Sequence, residues 1–337
     1  MKITQTALFT SALALMASAS AAQQTTLRIQ TQLTPETPSG QMVQAFVENV
    51  EAMSNGEIAI ELFMSSSVVD SGDTFDAAVN GIIDCDMTNA TYVTGKNAAF
   101  QFAADTMGGY DTPMQFQAWI HEGGGAEAMT ELYGQYGMTW IGTFIGSQES
   151  LVSTTPIRGV EDLKGWKFRS PPGMESEIFS KLGASAVVMD YSEVFTALET
   201  NIIDGADSSS LSDNAGVGLY DIGKYGTYPG FHSMAADHLA CNSTVWEGLP
   251  EHHKTIIKIA VDKLSHDVVT RMFVDNNRTA TELRAKGVEL SDWSDADRAK
   301  FREAAVATWD EWASKTPETA TMVESHKSFL TSIGFFE

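Results

Sequence analysis

Positive charge is scarce in this chain. Its 337 residues hold 21 Lys and Arg against 44 Asp and Glu, a formal charge of −23. A nucleic-acid partner is thereby excluded, because neutralising phosphates needs clustered basic side chains. Cysteine is scarcer still: there are two, Cys85 and Cys241, and neither belongs to a Cys-x-x-Cys metal motif. Each lies in an apolar, strand-like run, where a free thiol behaves as a small hydrophobe. Export, argued below, equally permits a disulfide, and both readings stand. Catalytic signatures are missing as well: no Gly-x-Ser-x-Gly elbow, no His-Glu-x-x-His helix and no Gly-x-x-x-x-Gly-Lys-Ser/Thr loop. The pair His121-Glu122 starts like a zinc-peptidase helix, but position 125 is Gly where the second His is needed. Ser208-Ser209-Ser210 reads as helix capping. An exported hydrolase, the distant alternative, thus lacks both a nucleophile with its base and a metal with its water.

What is present begins with a leader. Lys2 is the sole charge in residues 1–22, an apolar run extends from Ala7 to Met16, and Ala19-Ser20-Ala21-Ala22 supplies small residues for cleavage near Ala22. This predicts Sec-type export to the periplasm of a Gram-negative cell. No Cys stands at the cleavage region to carry a lipid. No later segment approaches the ~20 apolar residues of a membrane span.

Thr25–Gln30 alternates as a strand, Met42, Phe46, Val50 and Met53 fall at helical spacing, and Ile58, Ile60, Leu62 and Met64 alternate again. A helix over about 72–80 and a strand at 82–87 follow. This β-α-β-α-β order predicts a parallel-type sheet flanked by helices. Residues 113–136 read as one helix interrupted by Gly123-Gly124-Gly125, and Met138–Ile145 as a strand. Trp166–Arg169, Ala186–Met189 and Ile202–Ala206 are strands of a second such lobe, with helices between them. His238–Asn242 returns to the first lobe, and beyond Pro250 the pattern is mostly helical. The expected division is a leader at 1–22, lobe I at 23–145 with a return segment at about 234–270, lobe II at 146–233, and helices at 271–337 packing across both. The fold class is α/β, two lobes of the type II-like periplasmic binding kind, with a long helical carboxy-terminal region.

Ligands of such sheets sit beyond the carboxyl ends of strands. Arg169 ends a short strand before Ser170-Pro171-Pro172-Gly173. Its rigid fork of donors fits a carboxylate with two parallel hydrogen bonds. The alternative is a structural ion pair with Asp190 or Glu193. The loop after the third strand offers Asn89 and Tyr92, and Phe144 lies near the end of another strand.

The run Asp162-Leu163-Lys164-Gly165-Trp166-Lys167-Phe168-Arg169, with Leu182-Gly183-Ala184, Glu193–Glu199 and Ile203-Asp204-Gly205-Ala206, resembles the signature of the solute-binding proteins of TRAP transporters. The branch that binds 2-oxo acids and lactate is the most similar. Tyr92-Val93-Thr94-Gly95-Lys96 and Tyr228-Pro229-Gly230-Phe231-His232 are similar to that branch's segments, and Gln148 precedes Arg169 by its spacing of 21 residues. The resemblance implies that Arg169 pairs with the ligand carboxylate and that Tyr92 walls the pocket. It also implies that Gln148 bridges the ligand and a bound cation, Na or Ca, and that Asp207 ligates this cation. TRAP membrane permease subunits are the implied partners. The long carboxy-terminal helices are either a spine across the lobes or a homodimer contact.

Two departures weigh on this. Ser208 replaces the branch's Trp, which widens the pocket, and Ser233 replaces a metal-binding Glu. Hard cations want several anionic oxygens, so a set of Gln148, Asp207, Ser208 and Ser233 leaves the cation open. Ectoine, a sugar acid or a dicarboxylate are the alternative ligands. A dicarboxylate would call for a second basic residue near the pocket, and the sequence offers no clear candidate.

Overall fold

The computed structural model describes residues 24–336. The leader expected at 1–22 lies outside the described residues. Strands β1 (Thr25–Gln30), β2 (Ile58–Phe63), β3 (Cys85–Asp86), β4 (Met138–Ile145) and β10 (Ala236–Asn242) form one sheet in the order β2-β1-β3-β10-β4. A second sheet has the order β11-β9-β5-β8-β6-β7. Its strands are β5 (Ser150–Ser153), β6 (Lys167–Ser170), β7 (Ser185–Val188), β8 (Gly205–Ser209), β9 (Tyr225–Thr227) and β11 (Glu289–Ser291). Both sheets are mixed rather than purely parallel. In the first, β10 runs antiparallel to β3 and β4; in the second, β5 runs antiparallel to β8 and β9. The mixing follows from the route of the chain. It enters the second sheet through β5, comes back to the first through β10, and crosses again to reach β11.

That route fixes the cleft. The carboxyl ends of β1, β3 and β4 face those of β6, β7 and β8. An antiparallel strand meets the same edge with its amino end, so β5 brings Glu149 and β10 brings Asp237. Elements around the cleft are held by local chemistry. Helix Pro38–Met53 starts with Thr37 as its cap, accepting from the Gly40 amide, and Pro38 in its first turn. A Cβ at Gly40 would stand 1.8 Å from the Thr34 carbonyl oxygen, so the tight turn requires glycine. At Gly230 the turn after Pro229 passes so close that a Cβ would lie 2.0 Å from the Glu149 carbonyl oxygen.

The helix Glu251–Ala285 is the spine. At 35 residues it is about 52 Å long. Ile257, Ala260, Val261, Leu264, Val268 and Met272 pack into the core of the first sheet. Ala280 and Leu283 belong to the core beneath the second. The helix expected over 113–136 is two, Pro113–Glu122 and Gly125–Gly134, separated at Gly124 with φ 84°. A Cβ on Gly125 would meet Trp119 at 2.8 Å, which is the close packing that the glycine run permits. Cys85 and Cys241 face each other across β3 and β10 and are joined in a disulfide. The alternative of two buried free thiols is thereby corrected: direct cross-strand pairing brings the two sulfurs together. No helix among the described residues is long and apolar enough to cross a membrane.

Candidate functional site

Between the sheets lies a cleft lined by residues of both lobes. Gln32, Asn89, Tyr92, Phe144 and Asp237 come from the first side, and Arg169, Tyr191, Ser208 and Asp213 from the second. Arg169 is 2% exposed. Its Nε donates to the Met189 carbonyl at 3.1 Å and its Nη1 to the Asp207 carbonyl at 2.7 Å. Guanidinium has five N–H donors, so three remain for a ligand. Among the described residues no carboxylate is within ion-pair distance of it. The alternative pairing with Asp190 or Glu193 is absent for a local reason. Asp190 caps the turn Tyr191–Glu193, and Glu193 accepts from the Asp190 amide. A buried cation without a contacting counter-ion is costly, so the arrangement suits an anion.

Tyr92, Asn89, Phe144 and Ser208 all line the cleft with Arg169. Burial pushes the Tyr92 phenol up to about 12, so it stays a neutral wall. Asn89 is already engaged: its Oδ1 accepts from the Thr91 amide and hydroxyl, and its Nδ2 donates to Asp237. The Ser208 hydroxyl is buried without a partner. Gln148 stands elsewhere. Its amide donates to the Asp111 carbonyl, and it lines an outer groove with Arg302 and Trp293. The expectation that it meets the ligand is corrected in position: successive residues entering β5 face opposite sides, and Glu149 takes the cleft side.

Behind Arg169 sits a buried acidic cluster, of which the sequence pointed to Asp207 and Ser233. Asp105, Glu149, Glu175 and Asp207 gather there with His232 and Ser233. His232 Nε2 is 3.0 Å from Asp207 Oδ1, both side chains fully buried. The Ser233 hydroxyl is 2.5 Å from Asp105 Oδ2 and 2.8 Å from Glu149 Oε2. One hydroxyl proton cannot serve two carboxylates, so one of these acids carries its own proton. Burial pushes Asp105 up to about 6. Burial, then the charge of Asp207, holds Glu149 and Glu175 well above the ordinary carboxyl range. At Asp207 burial acts upward too, but His232 and the facing carboxyls hold it below its ordinary value.

For a cation the expected set was Gln148, Asp207, Ser208 and Ser233. Gln148 is outside, and the Ser233 hydroxyl is spent on Asp105 and Glu149. Glu149, Asp207 and His232 instead bring three donor atoms within 4.8 Å of one another. Asp207 Oδ2 is buried without a hydrogen bond, and Oδ1 meets only His232 Nε2. An ionised, under-coordinated carboxylate of this kind fits a hard cation. Glu149 and Asp237 were not expected here. Each stands beside a residue that faces the other way, Gln148 and His238, and strand parity separates them once the start of the strand is known. His238 itself pairs with Asp86 at 3.2 Å on the far face.

The family model described as bacterial extracellular solute-binding protein, family 7, matches residues 29–316. A monocarboxylate 2-oxoacid-binding periplasmic protein of Nostoc sp. is 26% identical over 292 residues, covering 86% of this chain and 80% of that protein. A TRAP periplasmic solute-binding protein from Rhodobacter sphaeroides, solved apo and open, is 32% identical, covers 92% of this chain and 99% of its own, and superimposes with a TM-score of 0.74. One from Pseudoalteromonas atlantica, solved with bound sodium and pyruvate, is 26% identical at a TM-score of 0.80, covering 92% and 95%.

Proposed function

The chain belongs to the family 7 bacterial extracellular solute-binding proteins, and on that premise we propose that it captures a small organic acid for a TRAP membrane permease and does no chemistry on it. The acid is a 2-oxo or 2-hydroxy monocarboxylate, taken between the lobes and released at the membrane. One observation carries this reading: a buried guanidinium, pinned by two carbonyls, presents its remaining donors to the cleft with no protein carboxylate to meet them. Export by the leader places the encounter in the periplasm, where the named relative from Nostoc works.

The working division keeps lobe I at 23–145 with the return segment 234–270 and lobe II at 146–233. The helices of 271–337 bind the two together. Ile259 and Phe273, exposed on the long helix, supply a face for pairing two copies, which sedimentation would report as a dimer. A cation such as sodium would be held by Glu149 and Asp207, with Asp105 and Glu175 nearby, and would add positive charge behind the ligand carboxylate.

Binding to the native state alone raises stability, by about 2.7 kcal/mol at a hundredfold excess over Kd. Thermal shift over a panel of organic acids therefore finds the ligand class. Wild type is expected to respond to monocarboxylates. Arg169→Ala, with its fold intact, is expected to lose the response, and Arg169→Lys to lose most of it, since a point charge does not replace the fork. An Arg169→Ala protein that binds acids as tightly as wild type contradicts the reading. Asp207→Asn is expected to remove any added stabilisation by sodium or calcium; a shift that survives it places the cation elsewhere.

A further inference from the structure

The far wall of the cleft has the opposite need to Arg169. Asp237 opens β10, opposite Phe144 of β4, and its Oδ1 accepts from Gln32 Nε2 at 3.1 Å and Asn89 Nδ2 at 3.3 Å. Among the described residues no donor reaches its Oδ2. Gln32 is 8% exposed, and its Oε1 is buried with no partner. The orientation of that amide follows from its neighbour: the nitrogen must face the carboxylate, which leaves the oxygen as a second acceptor. The other cleft acids are spoken for. Asp213 accepts from the Ser39 amide and from the hydroxyls of Ser39, Ser209 and Ser210. Asp105 and Glu149 share Ser233.

Two acceptors without donors on one lobe thus face a donor without an acceptor on the other. We propose that Asp237 and Gln32 form a second subsite opposite Arg169, one that selects carboxylic acids also bearing a hydroxyl or ammonium donor over 2-oxo acids of the same size. This rests on the Arg169 reading and narrows it. A 2-oxo group brings only acceptor oxygens. Set against an ionised carboxylate it leaves both sides unpaired, whereas a hydroxyl or ammonium satisfies Oδ2 or Oε1 directly.

The groups facing Asp237 set its charge. They are the Asn89 and Gln32 amides and the neutral Tyr92 phenol on its own side, Asp213 across the cleft, and His238, whose charge acts downward. His238, next along β10, is turned to Asp86. Burial pushes the Asp237 carboxyl up to about 6. Above that pH it only accepts; below it, the protonated acid donates and tolerates a keto oxygen.

Calorimetric titration of the intact protein with matched trios decides the matter: pyruvate, lactate and alanine, then 2-oxoisovalerate, 2-hydroxyisovalerate and valine. At pH 8 the better of the hydroxy and amino acids in each trio is expected to bind at least about ten-fold tighter than the oxo acid. Which of the two leads distinguishes a hydroxyl from an ammonium ligand. The gap is expected to close at pH 5 and in Asp237→Asn at pH 8, where an amide donor replaces the carboxylate. Oxo acids that bind as tightly as their partners to wild type at pH 8, or a gap unchanged in Asp237→Asn, overturn the subsite while leaving Arg169 its role. Failure of every acid to bind, or equal binding by Arg169→Ala, overturns the carboxylate clamp and this subsite with it. Should Asp237→Asn fail to fold, the wild-type comparison between pH 8 and pH 5 still decides.

Discussion

The Arg169 side chain has its direction already set. Two carbonyls hold its Nε and Nη1, so little rotamer freedom is left to lose on binding, and that loss is a substantial cost for an unrestrained arginine. Its place at the end of β6 before Pro171-Pro172 was readable in the sequence, because a strand of that type must end at the cleft. Of the acids around it Asp207 was expected and Asp105, Glu149 and Glu175 were not; for Glu149, parity in a short strand cannot be fixed without knowing where the strand begins. His326 offers a second test at this scale. It stacks on Trp119 with ring centroids 3.7 Å apart, its Nδ1 is 2.7 Å from the Tyr110 hydroxyl, and its Nε2 is 2.8 Å from the Phe102 carbonyl. A carbonyl only accepts, so Nε2 carries the proton and Nδ1 accepts from Tyr110. Burial pushes this imidazole down to about 3. The unfolded chain therefore binds a proton that the native one refuses between about pH 6.5 and 3. Native stability contributed by neutral His326 is complete above the upper limit and falls as pH drops. Urea unfolding at pH 7.5 and pH 5 is expected to show this loss in wild type and a shallower one in His326→Gln; equal slopes would rule the imidazole out as its source.

At the scale of elements, the return strand β10 does three things at once. It closes the first sheet against β4, carries Cys241 opposite Cys85, and delivers Asp237 to the cleft. The apolar run Leu239-Ala240-Cys241 marked it as a strand, but its direction and neighbours come only from tertiary pairing. The disulfide was open for the same reason: 156 residues separate the cysteines, and sequence distance says nothing of register. Closing so long a loop constrains the unfolded chain. Cys85→Ser with Cys241→Ser is expected to lower unfolding free energy by about 2–5 kcal/mol, read by urea denaturation. An unchanged midpoint would mean the cross-link adds nothing to the packed sheet. The split helices Pro113–Glu122 and Gly125–Gly134 show the converse case, where a glycine run visible in the sequence marked the break correctly.

The molecule as a whole is two sheets joined by three crossings: residues 146–149, residues 228–235 and the helix Glu251–Ala285. The β-α-β order in each half, together with the signature from Asp162 to Ala206, was enough to expect this plan. The relation of the lobes was not in the sequence. In this structure they touch across the cleft, through Ser39 with Asp213 and through the Met174 amide with Gln101. The chain also superimposes better on the pyruvate-bound relative than on the apo open one, although the latter is more identical in sequence. A ligand shifts such an equilibrium only by its preference for the closed form, and a carboxylate that completes Arg169 while touching the facing lobe has that preference.

The central claim is that one guanidinium holds the ligand's carboxylate between the lobes. A crystal structure of the protein with the acid that gives the largest thermal shift tests it most directly. The account predicts both carboxylate oxygens on Arg169 donors at about 2.7–2.9 Å, with the carbonyl contacts to Met189 and Asp207 unchanged. A carboxylate bound elsewhere in the cleft, with Arg169 still donating to those two carbonyls alone, would contradict it.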